Sequence, residues 1–129
     1  MYERILVLTD GSKNATNAGM EAVKLAKKIN ATVVITYIFD QRLSTIANQE
    51  EEGQNYINAI KDYAIEENVN AEDLLIYGSR KNDVLIIARK SNADLIVMAK
   101  HGNTTNQTTV MGDYSEFVVK NIQLPILLI

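Results

Sequence analysis

Five short apolar runs, each separated from the next by a stretch with helical spacing, constrain this chain more than any other feature. They are Ile5 to Leu8, Ala31 to Ile38, Leu74 to Tyr77, Leu95 to Met98 and Ile126 to Ile129. The runs are continuous rather than alternating, and the second is dense in β-branched residues, as in strands buried on both faces. Between the first two, Ala15, Ala18, Ala22, Leu25, Ala26 and Ile29 recur at helical spacing and form one buried stripe. Ser12 is placed to cap that helix, and Asn30 closes it. A second helix carries Ile57, Ile60 and Ala64 on one face, with an irregular early part from Leu43 to Gly53. A third runs from Asn82 to Lys90 with Val84, Ile87 and Ala88 inward, and a fourth from Tyr114 to Asn121. The order β-α-β-α-β-α-β-α-β predicts an α/β fold, its parallel strands joined by right-handed crossovers and its sheet covered by helices on both faces.

A chain of 129 residues, 47% of them apolar, suits one domain over residues 1–129 with an ordinary core. It has no cysteine, which excludes disulfides, thiolate metal sites and a cysteine nucleophile. The net charge is −3 and the basic residues are scattered, so no surface for nucleic acid is expected. The opening Met1-Tyr2-Glu3-Arg4 leads into an apolar run too short for a secretory leader, and no run is long enough to span a membrane. The expected location is the cytoplasm. The run Glu50-Glu51-Glu52 reads as a solvated helix face.

In such sheets ligands sit beyond the carboxyl ends of the strands, where the strand order reverses. The candidate loops are therefore Thr9 to Ser12, Ile38 to Asp40, Gly78 to Arg80 and Met98 to Gly112. Strand-to-helix links usually take about 2–6 residues. The last of these takes more than a dozen and is rich in Asn and Thr, so function is expected there. Gly102 and Gly112 bracket it with nine residues between them, and Gly112 stands just before a helix, where backbone N–H groups can meet an anion. Turn geometry plus a helix start is the plainer account of the same two glycines.

The pieces Tyr2-Glu3-Arg4-Ile5-Leu6-Val7-Leu8-Thr9-Asp10-Gly11-Ser12, Tyr37-Ile38-Phe39-Asp40, Gly78, Asp94-Leu95-Ile96-Val97-Met98-Ala99-Lys100-His101-Gly102, Gly112 and Pro125-Ile126-Leu127-Leu128 appear in this order end to end. Together they resemble a universal stress protein domain. The resemblance implies an open, twisted, five-stranded parallel sheet of the Rossmann-like, adenine nucleotide alpha hydrolase-like kind. It also implies a homodimer through the last strand, Ile126 to Ile129, and in some members ATP at the strand ends. Magnesium is expected only as the nucleotide's own ion.

ATP-binding members carry Gly-x-x-Gly, nine residues, Gly, then Ser or Thr, which falls here on Ala99, Gly102, Gly112 and Asp113. The spacing is kept and two identities are lost. Ala99 adds a methyl where a backbone approaches a ligand or takes positive φ. Asp113 serves as an N-cap but brings negative charge to the phosphate end, and two unit charges about 4 Å apart repel by roughly 1 kcal/mol in water. The family's frequent Arg after the second glycine is Asn103, leaving Lys100 as the fixed cation nearby. At the adenosine end, Asp10 could accept ribose or adenine hydrogen bonds with Thr9 beside it, while Ile38 packs on the base. Asp10 is equally a turn former, and Tyr37 reads as core. Met98, His101 and Tyr114 complete the nucleotide-binding set by position; His101 is the lone histidine and is expected to hydrogen-bond within its loop. No Walker loop, nucleophile elbow, paired-carboxylate site or metal cluster is present, so at most slow ATP hydrolysis is expected. Two readings stand. One is a dimeric nucleotide-binding regulatory module of the stress response, for ATP or AMP; the other is a dimerisation or interaction protein of the same fold with a dismantled phosphate loop.

Overall fold

The computed structural model describes residues 2–40, 46–101 and 111–129. Strands and helices alternate as β1 (Arg4–Leu8), α1 (Lys13–Ile29), β2 (Thr32–Phe39), α2 (Ile46–Glu66), β3 (Ala71–Tyr77), α3 (Arg80–Lys90), β4 (Leu95–Met98), α4 (Asp113–Asn121) and β5 (Ile126–Leu128). The sheet has five strands in the order β3-β2-β1-β4-β5, and every pairing is parallel. The chain builds outward from β1 through β3, then crosses to the other side of β1 to lay down β4 and β5. The strand order therefore reverses between β1 and β4.

Side chains alternate across each strand, so one sheet supplies two cores. Ile5, Val7, Val33, Ile35 and Val97 meet Ala18, Ala22 and Ala26 of α1 and Ile57 and Ile60 of α2. Leu6, Leu8, Val34, Ile38, Ile96 and Met98 meet Val84 and Ile87 of α3 and Val118 of α4. Each large aliphatic side chain buried in this way contributes about 1.5–3 kcal/mol.

The boundaries differ from the sequence reading where tertiary contact outweighs local preference. The Ser12 hydroxyl accepts the Ala15 N–H at 3.1 Å, and Asn30 closes α1 with φ of 58°, both as expected. The stripe of α1 ends at Ala26, since Leu25 is half-buried and Ile29 exposed. α2 was expected to be irregular before Gly53 but is helical from Ile46; residues 43–45 lie outside the described residues. Gly53 is tolerated there because α2 lies so close to the sheet that a Cβ would come within 2.5 Å of the Tyr37 ring and 2.9 Å of Leu75. β3 starts at Ala71 rather than Leu74, because an edge strand can hold Glu72 and Asp73 in solvent while its backbone pairs with β2. α3 starts at Arg80 rather than Asn82. Ser79 caps it, accepting from Asn82 N at 3.4 Å, and Asp83 accepts the Ser79 N–H in return at 2.7 Å.

Polar ties gather where the strands begin. The Arg4 guanidinium donates to both carboxylate oxygens of Glu72 at 2.9 and 2.8 Å and to the Ser91 carbonyl at 2.8 Å. Asp94 accepts the backbone N–H groups of Glu3 and Arg4 at 2.8 and 3.1 Å. The opposite end of the sheet, where the strands finish, is left to the loops.

Candidate functional site

Those loops line a cleft of about 580 Å³, a volume that includes open solvent. It lies over the carboxyl ends of β1, β2 and β4, at the point where strand order reverses. The floor is apolar, from Leu8, Ile38 and Met98, which share one face of the sheet.

One wall is the turn after β1. Thr9 Oγ1 accepts the Gly11 N–H at 3.1 Å and Asp10 Oδ1 accepts the Ser12 N–H at 2.9 Å, so each side chain folds back on its own turn. Asp10 is thus a turn former and a cleft residue at once: its Oδ2 faces the Arg80 guanidinium at 4.0 Å across the opening. The other wall is the start of α4. Gly112 is the N-cap and makes no side-chain cap bond, so first-turn N–H groups look out without a side-chain acceptor. Asp113, expected as the cap, is instead the first helical residue. It is exposed and does not line the cleft. Gly112 has φ of −69°, which any residue adopts, so its value there is the missing side chain.

The long loop is pinched at its base. The Lys100 carbonyl accepts the Gly112 N–H at 2.8 Å and the Ser115 hydroxyl at 2.6 Å, while the Lys100 N–H donates to the Ile129 carbonyl at 3.0 Å. Ala99 needs no unusual backbone: among the described residues, positive φ outside glycine occurs at Asn30, Asn68 and Asn92. Its methyl group packs in the core under α1 and α2.

Seven of the ten residues singled out from the sequence line this cleft: Thr9, Asp10, Ile38, Met98, Ala99, Gly112 and Tyr114. Asp113 stands outside the lining. So does His101, whose Nδ1 is buried and has no hydrogen-bond partner among the described residues, so the expected bond within the loop is not seen at that atom. Gly102 and Asn103 lie outside the described residues. Tyr37, expected in the core, is half-buried and packs against it, its ring edge-on to Tyr56 at 5.5 Å on the α2 side of the sheet.

Leu8, Ala15, Thr36 and Ser115 also line the cleft without having been singled out, and Arg80, at the end of the candidate loop from Gly78, joins them without having been given a role. Lys100 lines the cleft as the expected cation, and Arg80 adds a second one that the sequence reading did not count. Its guanidinium lies 5.6 Å over the Tyr114 ring, and the Tyr114 hydroxyl donates to the Arg80 carbonyl at 3.1 Å. Burial pushes the Tyr114 hydroxyl well above its usual pKa, with Arg80 opposing weakly, so it remains a donor. The signal available in sequence was a pair of cations, Arg80 and Lys81, at the first positions of a helix.

The universal stress protein family model matches residues 1–129. The universal stress protein MJ0531 of Methanocaldococcus jannaschii is 30% identical across the whole chain, which covers 82% of that relative. The solved structure of protein MJ0577, from the same organism, superposes with a TM-score of 0.82 at 25% identity, over 100% of this chain and 96% of that one. Two more distant structures share the fold. A universal stress protein in complex with cAMP has a TM-score of 0.79 at 20% identity, over 99% of this chain and 96% of that one. An Arabidopsis thaliana family protein with AMP bound has a TM-score of 0.70 at 13% identity, over 98% and 90%.

Proposed function

Because this chain belongs to the universal stress protein family, we propose that its cleft binds an adenine nucleotide and that the protein acts as a dimeric regulatory module rather than by turnover. The observation that carries this reading is the convergence of an acceptor, an apolar slot and a helix start in one opening. Asp10 offers a carboxylate to ribose hydroxyls, Ile38 and Met98 offer apolar surface to the base, and the first turn of α4 offers N–H groups to a phosphate. The cAMP and AMP complexes of proteins sharing the fold support the same ligand class. Magnesium would enter as the nucleotide's own ion.

Asp113 sets the preference among nucleotides. It is exposed in the first turn of α4, beside the phosphate end, so its charge is partly screened yet still opposes added phosphates. AMP and adenosine therefore suffer less than ATP. Titration calorimetry with Mg-ATP, AMP and adenosine should give heat, and Asp113→Ser should raise ATP affinity most, by about fivefold if roughly 1 kcal/mol of repulsion is removed. Absence of heat with all three ligands, for wild type and variant, would overturn the reading and leave an interaction protein of the same fold.

The dimer forms through β5 in this proposal. β5 is an edge of the sheet, and Leu127 and Ile129 are about 40% exposed there, a combination that invites pairing with a second copy.

A further inference from the structure

Arg80 breaks a local rule. It occupies the first position of α3 with Lys81 beside it, where the helix dipole favours acids and disfavours cations. Both cations are instead placed against aromatic rings of α4, Arg80 over Tyr114 and Lys81 over Phe117, each at 5.6 Å. Departures of this kind concentrate at functional sites.

The Arg80 guanidinium is held in place without being used up. Its separation of 4.0 Å from Asp10 Oδ2 is an ion pair but too long for a hydrogen bond, and no hydrogen bond from the guanidinium is seen among the described residues. Its side chain is 40% exposed against 14% for Asp10. With the guanidinium this exposed and the separation this long, the pair is weak, so a ligand can part it at little cost. What remains is a planar fork of donors, set over the Tyr114 ring and facing Asp10 across the cleft.

We propose that Arg80 is the residue that recognises the ligand's anionic group, and that the ligand is a nucleoside monophosphate whose phosphate lies close to its ribose. This rests on the reading of the cleft as a nucleotide site. Such a ligand carries the complement to both halves of the Arg80–Asp10 pair. Its ribose hydroxyls donate to the Asp10 carboxylate, which can only accept, and its phosphate accepts from the guanidinium, which can only donate. The charge missing from Asn103 in the long loop is thereby supplied from α3.

Wild type, Arg80→Gln and Arg80→Lys should be titrated with AMP and with adenosine, after thermal melts confirm folding. Wild type should prefer AMP. The ratio of AMP to adenosine affinity should fall roughly tenfold or more in Arg80→Gln, the loss expected for a charged hydrogen bond. Arg80→Lys should keep part of that ratio, and rising salt should erode the wild-type preference more than that of Arg80→Gln. A ratio in Arg80→Gln within twofold of wild type would overturn the assignment while leaving the cleft a nucleotide site. Wild type that bound neither ligand would overturn both.

Discussion

Thr36 lies in the middle of β2, between Leu8 of β1 and Leu74 of β3, with Val34 and Ile38 on the same side of the sheet. It is 1% exposed, and its Oγ1 is buried with no hydrogen-bond partner among the described residues. Replacing that hydroxyl by a methyl, as in Thr36→Val, keeps the side chain's shape and removes a polar atom that folding takes out of water uncompensated. An unsatisfied buried hydroxyl costs about 1–3 kcal/mol. Allowing for incomplete relaxation, the ligand-free variant should gain about 1–2 kcal/mol. For 129 residues, an unfolding entropy near 2.1 cal/mol/K per residue converts each kcal/mol into roughly 4 °C. The melting temperature should therefore rise by roughly 4–8 °C in calorimetry, and the urea midpoint should rise at unchanged m-value. A variant no more stable than wild type would refute the reasoning, since the hydroxyl would then have to be satisfied in solution.

At micromolar concentration the chain should sediment as a dimer, and Leu127→Lys, which places a charge on the exposed face of β5, should shift it to monomer; a monomeric wild type would refute the edge-strand dimer. Stability should also fall on the acid side. Hydrogen bonding to Arg4 holds Glu72 below the usual carboxylate range, and at Asp73 burial pushes upward but hydrogen bonds from Lys61 and Gln54 together outweigh it and bring the carboxyl below that range. A depressed folded pKa gives stability that is complete above the ordinary carboxylate range and is lost as pH falls through the folded value. Glu72→Gln should flatten that limb of a melting profile by no more than about 1 kcal/mol, because the pair is solvent-exposed; an unchanged acid limb would show that the pair contributes nothing.

Periodicity carried the fold, because buried parallel strands and one-sided helices leave patterns that survive without knowledge of their neighbours. Ser12 and Asn30 were legible for the same reason: caps are local chemistry. Gly53 was not. A glycine reads as a helix breaker until the Tyr37 ring is seen against it, and that contact joins two elements. The early half of the site was likewise local, with Thr9 and Asp10 bonded within their own turn. Arg80 stood at the end of a candidate loop, but its role was not legible because it lies in Asp10 and Tyr114, partners 70 and 34 positions away in the chain. Asp113 was misplaced by one position at the helix start, where Gly112 and Asp113 are both acceptable caps and only the backbone decides.

The ties around Arg4, Glu72 and Asp94 have a bearing on motion. They tie β1, β3 and the turn before β4 together at one end of the sheet, so amides there should exchange with solvent more slowly than those of the cleft turns. At the other end the turns close mainly on themselves, and local opening can occur without releasing the strands. Stiffness thus grades along the length of each strand. The cleft and these polar ties sit at opposite poles of the sheet, so cleft residues can be altered one by one with little coupling to the ties.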